Sequence, residues 1–219
     1  MTFAIVLVGW IFSLCLHEFF HAVTAYYGGD TTVKDKGYLT FNPLKYTHPI
    51  YSIVLPLVFL MMGGIGLPGG AVYIETWRLK SRTWQSMVSL AGPLANLLVA
   101  IILGVVLQFA PWYAGINKND VWPGIAFLAL LQVSALVLNL IPAPPFDGYG
   151  ILEPFLSEQT RQWVNSMRTF IMLAVFLALW NIPIVNEMFW TQVFRLANVL
   201  GIPFDLAREG FSLFRFWML

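Results

Sequence analysis

The stretch LCLHEFFHAVTA, residues 14–25, places His17, Glu18 and His21 inside an apolar run that begins at Phe3. From Phe3 to Ala25 a helix would measure roughly 34 Å at 1.5 Å per residue, enough to cross a hydrocarbon core of about 30 Å. A charged side chain near the middle of such a span costs about 2.5–3.5 kcal/mol even on lenient insertion scales. Two histidines and a glutamate there call for a function.

The composition agrees with a lipid bilayer as the solvent. Of the 219 residues, 58% are apolar and 11% charged, against about 25% charged in a soluble domain. The mean hydropathy is +0.73. The chain therefore reads as an integral membrane protein. A net charge of +1 and the lack of a basic stripe argue against nucleic acid as a partner. Cys15 is the single cysteine, which excludes an internal disulfide and a thiolate-rich metal site. The N-terminus has no basic n-region and no small-residue cleavage site, so the first apolar run is expected to be a retained helix with no targeting domain before it.

Gly28 and Gly29 end the first helix. Within the polar segment 30–49, TVKDKGYLTF suggests a small β-hairpin at the membrane surface. Residues 50–67 are apolar but broken by Pro56, Gly63, Gly64 and Gly66, then by Pro68, Gly69 and Gly70, a poor continuous helix. Ala71 to Ile74 looks extended. Met87 to Ala110 is a clean span opening on AGPLAN, whose small residues suit close helix packing. The next helix runs from Trp122 to about Ile141 and closes in NLIPAPPFDG, residues 139–148. Three prolines there forbid regular helical bonding, and unwound backbone at membrane depth is tolerated only when buried or lining a watery cavity. Thr169 to Trp180 begins another helix, and the tail beyond Asn186 is amphipathic. The expected architecture is an all-α polytopic membrane protein with four or more spans, a Gly/Pro-rich re-entrant hairpin and a surface β-hairpin. It forms one domain, residues 1–219, with core helices in 1–168 and a C-terminal helix and tail in 169–219.

HEFFH is an HExxH pattern. Residues four apart share a helix face, so His17 and His21 can bind one Zn²⁺ while Glu18 takes a proton from water at the metal. The competing reading is a pair of core histidines bonded to neighbouring helices with Glu18 neutral. Two histidines leave a catalytic zinc one protein ligand short. His48 and Asp147 are the main candidates, with Glu153 and Glu75 behind them. Asp147 and His17 both fall toward the far ends of their helices, so they meet only if these helices run in the same direction. With one crossing between them, residues 50–74 must enter and return on one side. That topology puts Lys34, Lys36, Lys45, Arg78, Lys80, Arg82, Arg161 and Arg168 on one face and Lys118 opposite, leaving the tail aside. The positive-inside rule makes the first face cytoplasmic.

HEFFH, AGPLAN and NLIPAPPFDG together resemble the site-2 protease family of intramembrane zinc metalloproteases, in its compact bacterial type without a PDZ domain. The resemblance covers roughly residues 8–153. It implies one Zn²⁺ per chain held by His17, His21 and Asp147, with Glu18 as general base and proton shuttle. Asn139 would sit near the site, bonding substrate backbone or a developing oxyanion. His48 stands where relatives often have Asp, and Gly150 where they often have Arg.

A peptide bond within a spanning helix must unwind before it can be cut. Ala71, Val72, Tyr73 and Ile74 are the candidate edge on which extended substrate backbone could add as a strand. The expected activity is hydrolysis of peptide bonds in or beside transmembrane segments of other membrane proteins, in regulated proteolysis or clearance of remnant peptides. The active site would lie nearer the cytoplasmic face, and a regulatory membrane partner has no signature in the sequence. Two rivals differ in class. A silent scaffold that binds metal and holds a partner helix would not need Glu18, and an ion transporter with a His/Asp/Glu relay would show paired broken helices in repeated halves.

Overall fold

The computed structural model describes residues 1–42, 72–109, 121–215 and 217. Nine α-helices are described: α1 (Thr2–Gly28), α2 (Thr32–Asp35), α3 (Arg82–Gln108), α4 (Val121–Asn139), α5 (Asp147–Leu152), α6 (Glu158–Ser166), α7 (Arg168–Asn181), α8 (Pro183–Val199) and α9 (Phe204–Phe214). Among the described residues there is no strand. The expected β-hairpin at TVKDKGYLTF is corrected: Thr32–Asp35 forms a short helix instead. Asp30, fully buried, accepts from the backbone N–H and hydroxyl of Thr32 at 3.1 and 2.6 Å. This local bonding favours a helical turn over a ladder. The proposed re-entrant hairpin, with its Gly/Pro-rich run, lies outside the described residues except for Val72–Ile74, which carry no regular secondary structure.

Three described helices are long and apolar enough to cross a membrane: α1, α3 and α4. A fourth span is reached if α6 and α7, bent by 66° at their junction, count as one. The chain is an integral membrane protein with three to four candidate spans. In α4, 72% of the apolar window is buried, against 39% in α1 and 44% in α3. α4 is therefore the central helix, and the other two leave one side for lipid, as the exposed Leu98, Ile102 and Val105 of α3 show.

Contacts along the helices fix their directions. The start of α1 meets the start of α4, where a Cβ on Gly124 would lie 3.3 Å from Thr2 Cα, and Gly9 faces Leu128 further along. α1 and α4 run parallel. α3 runs opposite: its first turns sit on the end of α1, with Trp84 against Gly28, and Ser81 caps it by accepting from Trp84 N–H at 3.3 Å. That cap starts the helix at Arg82, earlier than the expected Met87. The Lys80 N–H donates to the Gly28 carbonyl at 2.9 Å. The chain thus leaves α1 and enters α3 at one point on the same face.

The tail is packed rather than trailing. Ala207, Gly210 and Phe214 of α9 are buried, and Phe214 lies between Phe3 and Phe127 with ring centroids 5.2 and 5.6 Å away. Gly210 passes so close to the Pro123 carbonyl that a side chain would collide with it. α9 thereby closes the end of the bundle opposite the HExxH motif.

Candidate metal centre

The parallel run of α1 and α4 brings the end of α4 alongside the C-terminal half of α1. After Asn139 the chain turns through Leu140–Phe146, with a cis bond between Pro144 and Pro145. Phe146 is buried in the core at 2% exposure, and α5 then begins at Asp147. Gly148 is pressed onto the carbonyls of Leu140 and Ile141, leaving no room for a Cβ. The turn and the glycine aim the Asp147 carboxylate at α1.

His17, His21 and Asp147 converge. The His17 and His21 Nε2 atoms are 3.0 Å apart, and the Asp147 oxygens lie 3.2 Å from His17 Nε2 and 3.4 Å from His21 Nε2. Both ring protons are committed on the other side. His21 Nδ1–H donates to the Val88 carbonyl at 2.6 Å, an oxygen that can only accept. His17 Nδ1–H donates to Asn96 Oδ1 at 2.6 Å. Each Nε2 therefore presents a lone pair to the same point as the carboxylate. Three electron-pair donors facing one another repel unless a cation lies between them. Their separations match the edge of a tetrahedron with zinc–ligand bonds of 2.0–2.1 Å, about 3.3 Å. Nitrogen, nitrogen and carboxylate oxygen form a donor set that a catalytic zinc takes with one position open. Among the described residues this is the His/Cys/Asp/Glu group that could hold a metal.

Glu18, 3% exposed, lines the same cavity as the three donors, together with Asn139, Val72, Tyr73 and Ile74. The cavity measures about 450 Å³. Glu18 Oε2 accepts from the Val72 N–H at 3.0 Å. The segment after Val72 is tied down: the Glu75 N–H donates to Asp30 Oδ2 at 2.8 Å, and Lys36 Nζ donates to Glu75 Oε1 at 2.9 Å. Ala71 and His48 lie outside the described residues. Glu75, once a candidate third ligand, is instead paired with Lys36 and Arg78, and Glu153 lines the cavity without joining the donor group.

With this geometry in view, the chain's relatives are informative. It is 46% identical to "Putative zinc metalloprotease Rip2" of Mycolicibacterium smegmatis, over 99% of this chain and 82% of that protein. A protein of the same name from Mycobacterium tuberculosis is 44% identical over 100% of this chain and 82% of its own length. The chain belongs to the site-2 protease family. A more distant member, "Putative zinc metalloprotease YwhC" of Bacillus subtilis, is 28% identical over 84% of this chain and 83% of its own length. No protein-family model matches the chain, and no solved structure does.

Two residues of AGPLAN do more at this centre than pack helices together. Asn96 holds the His17 ring, and its own Nδ2 donates to Gln132 Oε1 of α4 at 2.9 Å. Gly92 lets α3 pass directly over the imidazoles: a Cβ there would lie 2.6 Å from His17 Cε1 and closer to both Nε2 atoms. Both belong to AGPLAN, and a polar Asn one helical turn from a Gly on an apolar helix was the signal. An Asn in a span needs a partner.

Proposed function

We propose that the chain is an intramembrane zinc endopeptidase that hydrolyses peptide bonds within or beside transmembrane segments of other membrane proteins. The observation that carries this reading is the convergence of His17, His21 and Asp147 lone pairs beside buried Glu18, in one cavity reached from a spanning helix. His17 stands roughly 16 Å from the end of α1 at 1.5 Å per residue, so the site lies below the membrane surface. The basic residues around the α1–α3 connection support a cytoplasmic position for the nearer face.

His17, His21 and Asp147 would hold the metal. When bound, zinc supplies a Lewis acid that polarises the scissile carbonyl and makes water acidic enough to react near neutral pH. Glu18 takes a proton from the attacking water and delivers it to the leaving amine. In the described arrangement its carboxylate is already oriented by the Val72 N–H. Asn139, buried at the end of α4 and lining the cavity, is placed to bond substrate backbone or the oxyanion. Apart from the Val72 N–H held by Glu18 and the Tyr73 C=O held by Lys36, the backbone of Val72–Ile74 is the edge to which an unwound substrate can add. The core and tail act as one domain, since α9 packs on α4.

The test is Glu18→Gln in the full chain, assayed for bound zinc and for cleavage of candidate transmembrane substrates. Metal content should stay at one zinc per chain and cleavage should fall by at least about a thousandfold, the scale of a lost general base together with its charge. Zinc bound by both forms with neither cutting a substrate that the cell is shown to process would return the chain to the metal-binding scaffold, whereas cleavage unchanged in Glu18→Gln would remove Glu18 as the base.

A further inference from the structure

The cavity does not end at the metal donors. It is also lined by Tyr149 of α5 and by Arg161 and Arg168 of α6 and α7. Tyr149 is 7% exposed, and its hydroxyl is buried without a hydrogen-bond partner among the described residues. Buried hydroxyls are rarely left so. The charges acting on it are Glu153, Arg161 and Arg168. Glu153 is engaged by Asn165 Nδ2 at 3.3 Å. Arg161 has a long contact of 3.5 Å to the exposed Glu158, and its Nε is buried with no partner among the described residues. No carboxylate among the described residues lies within ion-pair distance of Arg168. Glu153 and Glu158 match the two guanidinium groups in number, but Arg168 has no acid within reach and the Arg161 Nε has no acceptor among the described residues, beside a phenol with a proton to donate.

We infer that this part of the cavity is a carboxylate subsite, in which the Tyr149 hydroxyl, Arg161 and Arg168 receive a carboxylate of the peptide being cut. The inference rests on the protease reading above. Guanidinium groups pair with carboxylates through parallel N–H bonds, and a single carboxylate gives Arg168 an acid and the orphaned hydroxyl an acceptor. A neutral carbonyl in the same place satisfies the hydroxyl alone, and a cationic group satisfies neither. The carboxylate can come from an acidic side chain or from a free C-terminus of the substrate.

The experiment measures peptide binding to the full chain carrying Glu18→Gln, in lipid and loaded with zinc. Three sets of fluorescent extended peptides are compared: amidated peptides with one glutamate scanned along the sequence, a neutral peptide with a free C-terminus, and a neutral amidated peptide. At least one carboxylate-bearing peptide should bind about tenfold tighter than the neutral amidated one, the scale of a charge-assisted bond. Whether the glutamate or the terminus gives the gain identifies the source. Tyr149→Phe should reduce the gain, and Arg161→Gln with Arg168→Gln should remove it, leaving zinc content and neutral-peptide binding unchanged. Equal binding of all three sets, or a gain that survives in the arginine variants, overturns the subsite. Cleavage by the unmutated chain separates the two readings. Equal cutting of charged and neutral peptides removes the subsite alone, whereas no cutting beside charge-selective binding removes the protease alone.

Discussion

His17 donates its Nδ1–H to the side-chain oxygen of Asn96 at 2.6 Å, across the α1–α3 interface. Asn96 passes the connection on to fully buried Gln132 of α4, so the orientation of one metal donor depends on all three spans. Replacing such a partner costs about 10–100-fold in metal affinity. Asn96→Ala should weaken zinc binding by that factor in a chelator competition, and Asn96→Asp, which keeps an acceptor, should weaken it less. Unchanged affinity in Asn96→Ala would show that His17 holds its ring without help.

Gly92 makes a separate prediction because the cause is volume. Alanine is the better helix former by about 1 kcal/mol, so propensity alone makes Gly92→Ala harmless. Its Cβ would nevertheless occupy the space of both imidazoles. The variant should stay helical by circular dichroism and lose its bound zinc. Normal zinc content would mean that α3 can shift outward at little cost.

The metal centre was legible in the sequence because HEFFH carries its own geometry: two histidines four apart share a face on any helix. Asp147 was harder, since nothing local ties a residue after α4 to one in α1. Family resemblance brought it in, and the parallel direction of the two helices followed as its requirement. AGPLAN suggested only close packing, because the roles of Asn96 and Gly92 come from the neighbouring helix α1 rather than from their own. The β-hairpin failed at Asp30, whose carboxylate organises Thr32 and the following turn as a helix. Alternation of β-formers could not reveal that bond. Tyr149 had no sequence signal, since a phenol lacking a partner is visible only once its surroundings are in place.

Three lone pairs held within 3.4 Å of one another also couple the metal to stability. A ligand that binds only the folded chain at a thousand times its dissociation constant adds about 4 kcal/mol. Chelation should therefore lower the thermal transition of the purified protein in detergent, and zinc should restore it. In Asp147→Ala the zinc-dependent rise should shrink or vanish. A transition indifferent to chelator in the unmutated chain would mean that the donors hold their places without the ion.

Glu75 sets the pH behaviour of the segment that reaches Glu18. Its carboxylate accepts from Arg78 Nε at 2.6 Å and from Lys36 Nζ at 2.9 Å. The Arg78 bond, with the Lys36 bond next, holds the Glu75 carboxyl below its ordinary value. A depressed folded-state value means that the contribution is fully present above the unfolded value, about 4.3 for glutamate. It is lost as pH falls through the lower folded one. Hydrogen exchange of the amides from Val72 to Lys80, corrected for intrinsic rates, should thus stay slow through mild acid and quicken only below the ordinary glutamate range. Glu75→Gln should quicken it already at neutral pH and flatten this pH dependence. The Val72 amide, bonded to Glu18, is the most telling probe, because its release frees the carboxylate that the proposed chemistry uses. If its exchange in Glu75→Gln matches the unmutated chain at every pH, Lys36 and Arg78 do not hold this segment in place.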